Sequence, residues 1–321
     1  MTDLLDQVRG AGLLAPGRPV VVLHSGGRDS TCLLDLTVRI AGADVVDALH
    51  VNYGLRDGAE DDEQHCRDFC EQLGVRLEVR RARRPARGNL QGWARDQRYG
   101  AATQLAAARG ADVAAGHTAT DQVETILYRL ASSPSRRALL GMRMRDGLVI
   151  RPLLGFTRAQ TGAYCTERGL SWREDESNDS DAYARNRIRR HLVPALDAVH
   201  PAAQANVLAL AAILREEGEV LDELVGSVLQ GCEEIALADL RRLGPGLRRL
   251  VVQRLADTAA GGPAAGVGRR ADEVAAMKDR GTAALDLPHG VRATAVDGIV
   301  RFGATPRPRP DESRRPHRLG P

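Results

Sequence analysis

Through the first 170 residues, short apolar runs alternate with longer stretches whose apolar positions recur every three to four residues. Val20-Val21-Val22-Leu23 is a continuous run, as in a strand buried on both faces. From Thr31 a helical pattern begins, with Leu33, Leu36 and Ile40 near i, i+3 and i+7. Further strands are predicted at Val45–Val51, Val75–Val79 and Asp112–Ala115, and an extended segment at Leu148–Leu154. Helices are predicted over Thr2–Gly10, Gly58–Leu73, Leu90–Arg109, after Gly116 through Leu130, and Thr157–Arg168. This alternation implies an α/β fold with a doubly wound parallel sheet, whose ligands sit beyond the carboxyl ends of the strands.

The pattern changes near Pro201. Ala202–Leu229 and Ala238–Ala256 read as helices rich in Ala and Leu, the second broken at Gly244-Pro245-Gly246. Gly261–Gly268 reads as a linker-like loop and Arg269–Arg280 as a short helix. Ala284–Thr294 with Gly298–Phe302 reads as a terminal β-hairpin. The expected organisation is therefore an α/β domain over 1–200, a smaller helical domain with that hairpin over 201–302, and a disordered Pro/Arg-rich tail over 303–321.

Chemistry concentrates where strands end. Val20–Leu23 runs straight into Ser25-Gly26-Gly27-Arg28-Asp29-Ser30. Strand, glycine turn and helix aim free N–H groups and a positive helix end at an anion. Gly26 and Gly27 admit an oxyanion without a Cβ in the way, and Ser25 and Ser30 add hydroxyl donors. Asp29 can favour the helix N-terminus or help hold Mg²⁺. A Walker loop is excluded because no lysine is present, and a dinucleotide fingerprint because the glycines are adjacent. The plain alternative is an ordinary capped turn.

The strand ending near Ala115 leads into His117, Asp121 and Glu124. The two acids lie i, i+3 on the first turns of a helix and can point into the same crevice as the glycine loop, or merely favour the helix N-terminus. Arg95 and Arg98 share a helix face. Arg185-Asn186-Arg187-Ile188-Arg189-Arg190 follows an acidic loop and reads as a contact to RNA or phosphate, or as a solvated helix face.

Composition narrows the classes. Hydrophobic residues make up 43% and charged residues 27%, as in a soluble globular protein. Lys278 is the only lysine, and this arginine bias reads as genomic rather than as a nucleic-acid surface. The net charge of +3 resides entirely beyond Phe302, so charge alone argues for no partner. Cys32, Cys66, Cys70, Cys165 and Cys232 form no C-x-x-C pair and suit reduced thiols in a cytoplasmic protein. The start has no signal-peptide pattern, and no run approaches a membrane span.

Ser25–Ser30 after its strand resembles the pyrophosphate loop of the N-type ATP pyrophosphatases, or PP-loop superfamily. Four further stretches resemble one branch of it, the tRNA(Ile)-lysidine synthetases. They are His50–Arg56; Ala94-Arg95 with Arg98-Tyr99; His117-Thr118 through Asp121-Gln122 and Glu124-Thr125; and Arg151–Leu154 through Trp172, Asp175, Ser177-Asn178 and Arg185-Asn186-Arg187. Tyr53, Thr120 and Ser132-Ser133-Pro134-Ser135 depart from that family's usual residues. The resemblance implies an adenine-nucleotide α-hydrolase-like fold in which 1–200 is catalytic and 201–302 binds substrate tRNA.

It also implies a reaction. ATP adenylates the C2 oxygen of the wobble cytidine in the isoleucine tRNA with a CAU anticodon. Free lysine then displaces AMP to give lysidine. Implied roles are phosphate binding by Ser25, Gly26, Gly27, Arg28, Asp29 and Ser30, with Asp29 on Mg²⁺; charge stabilisation by His117 and Arg95; lysine binding by Asp121 and Glu124; and RNA contact by Arg185 and Arg187. A second copy of the chain is a candidate partner. The rivals are a tRNA thiolase of the same superfamily, which wants paired cysteines, and a non-catalytic nucleotide- or RNA-binding protein, which has no need of Asp121 and Glu124 beside His117. With three Phe, five Tyr and two Trp, base stacking is a poor binding mode for the latter.

Overall fold

The computed structural model describes residues 3–54, 58–83, 85, 90–174, 181 and 183–306. The resemblance-bearing residues Leu55, Arg56, Asp175, Ser177 and Asn178 and the tail from 307 lie outside them.

Val20–Leu23 (β1), Val46–Asn52 (β2), Arg76–Arg81 (β3) and Asp112–Ala114 (β4) form a parallel sheet in the order β3-β2-β1-β4. Every residue of β1 is buried, and its two faces meet different helices. Val20 and Val22 pack with Leu33, Leu34 and Leu36 of α2 (Arg28–Ala41) and Phe69 of α3 (Ala59–Leu73). Val21 and Leu23 pack with Ala102 and Ala106 of α4 (Leu90–Arg109). Burial on both sides is why β1 reads as unbroken apolar sequence. A short helix, α1 (Leu4–Gly10), adds Leu5 and Val8 to the first of these layers.

Helix α2 starts at Arg28 rather than Thr31, so Asp29 and Ser30 occupy its first turn. Gly27 is its N-cap and supplies no side-chain hydrogen bond. The Leu148–Leu154 segment yields only two strand residues, β6 (Val149–Ile150), parallel to β4. It turns back on an antiparallel edge strand, β5 (Arg145–Asp146), too short for any periodicity to reveal. Helix α5 (Ala119–Ser132) follows β4; a short α6 (Arg136–Leu139) comes next, and α7 (Arg158–Glu167) follows β6.

After α8 (Ala184–Arg187), a π-helical turn at Ile188–Leu192 and α9 (Val193–Val199), the chain enters α10 (Ala203–Leu229). Val207 and Leu208 of α10 pack on Val123, Leu127, Ile188 and Val193. That packing takes the first compact unit to Leu214, whereas the composition changes at Pro201.

The second unit begins at Arg215. It contains Glu234–Ala236 (β7), Leu237–Arg242 (α11), Pro245–Ala260 (α12), Ala271–Ala275 (α13), Thr282–Leu287 (β8), Val291–Val296 (β9) and Ile299–Ala304 (β10). The expected hairpin is larger than its sequence pattern: its first arm folds back at His289 and Gly290, both with positive φ, into β8 and β9. With β10 and β7 they make an antiparallel sheet in the order β7-β10-β9-β8. The helix expected over Arg269–Arg280 is only α13, entered through a 3₁₀ turn.

Helix α2 is tied to α7 by a buried polar contact. Asp35, 1% exposed, accepts a short hydrogen bond from the Tyr164 hydroxyl, which in turn accepts one from Arg39 Nη1 at 2.9 Å. Arg168 Nε stands 3.6 Å from the same carboxylate. Tyr164→Phe leaves this carboxylate short of a donor and is expected to cost about 1–3 kcal/mol, read as a lowered urea midpoint at unchanged m-value.

Candidate functional site

Strand order reverses between β1 and β4, which are hydrogen-bonded neighbours. The loops leaving their carboxyl ends therefore emerge side by side at a topological switch point. The two backbones come unusually close. A Cβ on Gly116 would sit 3.1 Å from the Asp29 carbonyl oxygen and 3.3 Å from Ser30 N.

The glycine loop is internally braced. Ser30 Oγ donates to Gly27 O at 2.8 Å and accepts from Ser25 N at 3.2 Å, with Ser25 Oγ 3.1 Å away. Gly26 adopts φ +80°, and a Cβ there would lie 3.2 Å from Cys66 Sγ and 3.3 Å from His65 Cδ2. Its carbonyl accepts from Arg173 N at 2.9 Å, and Arg173 Nε donates to Asp62 at 2.8 Å. Arg28 turns onto α7, its Cδ 3.1 Å from where a Cβ on Gly162 would be.

Asp29 is held by two residues that the sequence reading missed. Thr161 Oγ1 donates to its Oδ1 at 2.5 Å and Arg158 Nε to its Oδ2 at 3.2 Å. Arg158 and Thr161 lie i, i+3 on α7, and that spacing in a predicted helix was the available signal. Among the described residues no three His, Cys, Asp or Glu side chains gather to hold a metal. A Mg²⁺ arriving on a triphosphate needs only one or two protein carboxylates. Asp29 fits that need, since each oxygen keeps a lone pair beyond the bond it accepts.

On the β4 side, Thr118 caps α5 in a reciprocal box with Asp121. Asp121 Oδ2 accepts from Thr118 N and Thr118 Oγ1, both at 2.8 Å. The capping alternative raised for Asp121 is thus realised, on one oxygen only. Its Oδ1 faces Arg185 Nη2 at 2.9 Å. Burial alone would raise the Asp121 carboxyl, but the Arg185 charge and the bonds from Thr118 hold it below its ordinary value.

Glu124 is fully buried. Arg185 Nε donates to its Oε2 at 2.8 Å, Arg189 Nε to its Oε1 at 2.6 Å, and Arg189 Nη2 to Oε2 at 3.0 Å. Of the arginines expected from sequence, Arg185 is therefore in the site but Arg187 is not beside it. Arg187 Nη1 donates to Asp181 O at 2.8 Å. Along a helical segment residues i and i+4 share a face and i and i+2 do not. Arg189, not Arg187, is thus the companion of Arg185. Burial would lower the Arg189 guanidinium, but its bonds to Glu124 and the charges of Glu124, Asp121 and Asp29 hold it above its ordinary value. One guanidinium therefore answers to the carboxylates of both loops. Arg158 also spans them, donating its backbone N–H to Thr120 Oγ1 at 3.3 Å.

His117 is pushed down to about 3, first by burial and then by Arg185, Arg151 and Arg98, against the pull of Asp121. It is a neutral imidazole whose buried Nδ1 has no hydrogen-bond partner. Arg151 is almost fully buried, donates Nη1 to Arg143 O at 2.7 Å, and has an unpartnered Nε, as does Arg98. Arg95, at the surface, lies 4.7 Å above the Tyr99 ring. Tyr53, one of the departures noted above, donates to Ala94 O at 3.1 Å and meets Trp93 edge-on. The site thus has cations and unsatisfied donors in excess of free carboxylate oxygens, the composition of an anion receptor.

These features define the class: a nucleotide-type α/β domain with an anion loop at its switch point. Residues 4–196 match the family model described as a PP-loop domain. The chain is 35% identical over 339 residues to the tRNA(Ile)-lysidine synthase of Symbiobacterium thermophilum, covering 93% of this chain and 69% of that one. It is 35% identical over 260 residues to the Pseudomonas aeruginosa tRNA(Ile)-lysidine synthase, covering 74% and 59%. The chain belongs to the tRNA(Ile)-lysidine synthase family of PP-loop proteins. The chain spans about half the length of several curated relatives that it matches. Among solved structures, the U34-tRNA thiolase NcsA from Methanococcus maripaludis is similar in fold, with a TM-score of 0.56 at 17% identity over 66% of this chain and 78% of that one. No single helix among the described residues is long and apolar enough to cross a membrane.

Beneath the glycine loop, His24 is also buried and pushed down to about 3, chiefly by burial and then by His50 and His65. It stays neutral in the folded chain while the unfolded chain protonates below about 6.5. The stability it contributes is complete above that pH and lost as pH falls toward 3. His24→Leu is expected to shrink the loss of stability between pH 7 and pH 5 by about 1–2 kcal/mol, measured by urea unfolding at both values.

Proposed function

We propose that the chain ligates free lysine to C2 of the wobble cytidine of tRNA(Ile) with a CAU anticodon, using ATP and releasing pyrophosphate and AMP. What supports this most is the meeting of an anion loop and a carboxylate pair at one switch point, with Arg189 2.6 Å from the buried Glu124 and 3.6 Å from Asp121. A phosphate site and a cation site side by side suit a reaction that activates with ATP and ends with an amine.

The N-terminal backbone groups of α2 with Ser25, Gly26, Gly27 and Ser30 would bind the phosphates. Asp29 would hold Mg²⁺ with ATP, and the ion would neutralise charge on the departing pyrophosphate. Arg28 would add charge at the loop's flank rather than a direct contact, given its course along α7. The C2 oxygen attacks the α-phosphorus and the bond to the β-phosphate breaks. His117, as a neutral donor, and Arg95 would stabilise the adenylate. Asp121 and Glu124 would hold lysine, orient one amine toward C2, and take up the proton it sheds as AMP leaves. Arg185 would contact RNA or the transferred nucleotide, and Arg187, outside the carboxylate cluster, RNA. A wobble base in an anticodon loop is already unpaired, so delivering it to the crevice costs little. In this reading 1–200 is the catalytic domain and 201–302 the tRNA-substrate domain, acting in the cytoplasm.

Sulfur transfer to the same carbonyl has less support. Cys32, Cys66, Cys70 and Cys165 are at most 1% exposed, and burial raises the thiols of Cys66 and Cys70. Buried thiols of that kind are poor nucleophiles.

Incubation with ATP, Mg²⁺, radiolabelled lysine and the CAU-anticodon transcript is expected to put label into RNA; unlabelled RNA would reject the reading. Asp29→Ala is expected to abolish tRNA-dependent pyrophosphate release. Glu124→Ala is expected to cut lysine incorporation by at least ~100-fold with tRNA affinity retained in a filter-binding assay. An equal loss of RNA affinity would count against its assignment.

A further inference from the structure

The carboxylate pair assigned to lysine is not open to a cation. Glu124 is 0% exposed, while the side chains of Arg185 and Arg189 that cover it are 40% and 23% exposed. Both guanidiniums bonded to Glu124 are therefore nearer to solvent than the carboxylate is. Glu124 Oε2 already accepts two hydrogen bonds and Oε1 one, and Asp121 accepts two on Oδ2 and one on Oδ1. One lone pair per residue remains, too few for an ammonium with three donors. Two carboxylates and two guanidiniums also cancel, leaving no net field to attract a third cation. Arg98 and Arg151, whose charges act on the adjoining His117, make the surroundings net positive.

Stripping the arginines away without replacement would leave the buried Glu124 without the three bonds they supply and Asp121 with only its Thr118 bonds, which is strongly disfavoured. Nor can the arginines stay while an ammonium enters. An exchange satisfies both limits. A phosphate anion is the natural acceptor of a guanidinium, through paired N–H bonds. The nucleotide loop lies next door: Arg158 donates to Asp29 Oδ2 at 3.2 Å and to Thr120 Oγ1, one residue before Asp121, at 3.3 Å. Arg185 and Arg189 flank the start of a π-helical turn, Ile188–Leu192, a local geometry frequent at functional sites.

We propose that Arg185 and Arg189 are resident counter-ions of Asp121 and Glu124, that the phosphates of the bound nucleotide draw them off, and that lysine's ammonium replaces them, so that nucleotide and lysine bind with positive coupling. The proposal rests on the reading of lysine as substrate. It makes Arg189 a residue that sets binding order: the amine site stays shut until a triphosphate or adenylate is in place. Because coupling is reciprocal, lysine tightens nucleotide binding by the same factor.

The test is calorimetric titration of lysine into the full chain with and without α,β-methylene-ATP, which resists cleavage at the reacting bond. The analogue is expected to tighten lysine binding about 10-fold or more. In Arg189→Gln lysine is expected to bind the nucleotide-free chain more tightly than in the native protein. The gain from the analogue should then fall below about 3-fold. Arg189→Lys, which keeps the charge, should retain most of the coupling. Equal lysine affinity with and without the analogue in the native chain overturns the exchange, as does full coupling in Arg189→Gln. The native comparison and Arg189→Lys decide the matter should the glutamine variant not fold. If lysine fails to bind even with the analogue and the CAU transcript together, the lysine reading falls and this inference with it; uncoupled lysine binding removes only the inference.

Discussion

The pairing of β1 with β4 is the constraint from which the site follows. Parallel neighbours in register, Val20 with Asp112 through Val22 with Ala114, release their following loops at the same height on the same edge. On one side that loop becomes the N-terminus of α2, on the other the N-terminus of α5. Two positive helix ends and their unsatisfied N–H groups thus share one crevice. Gly116 is what permits the approach, because any Cβ there would press on the Asp29 carbonyl. Side-chain chemistry can be exchanged around this edge, but a different strand order would separate the two loops.

Charge is then distributed around that edge with little slack. Asp29 is tied to α7, Asp121 is divided between a cap and an arginine, and Glu124 lies beneath two arginines. A buried carboxylate without partners would cost several kcal/mol, so the cations are structural as well as chemical. The same arginines that permit burial of Glu124 also occupy three of its four lone-pair positions. His117 sits among these charges as a neutral ring, able to donate but not to add a full positive charge.

The elements nearest the chemistry were legible for physical reasons. A strand buried on both faces must be continuously apolar, and β1 is. Adjacent glycines mark a turn that something approaches closely, and Gly26 indeed adopts positive φ with Cys66 and His65 against it. The acids at i, i+3 of a helix start do lie together. Short and non-local features were not legible. The two-residue strands β5 and β6, the fold-back at His289-Gly290 and the brief α13 have too few residues for a period to emerge. The clasp of Arg158 and Thr161 on Asp29 joins positions more than a hundred residues apart; their i, i+3 spacing puts them on one helix face but does not say which partner that face meets.

Residue types and spacing alone determined the class of this protein: a doubly wound nucleotide-type domain with an anion loop and a carboxylate pair at strand ends. That much is local, since strand burial, turn conformation and helix faces depend on neighbours within a few residues. Which charge meets which was decided only in three dimensions. Arg185 and Arg189 rather than Arg187 cover Glu124 because helical rotation and the packing of Ile188 and Val193 on α5 choose the face that turns inward. Ion pairing in a buried site is a property of the assembled crevice, where low dielectric makes each unpaired charge costly, and no window of sequence contains it.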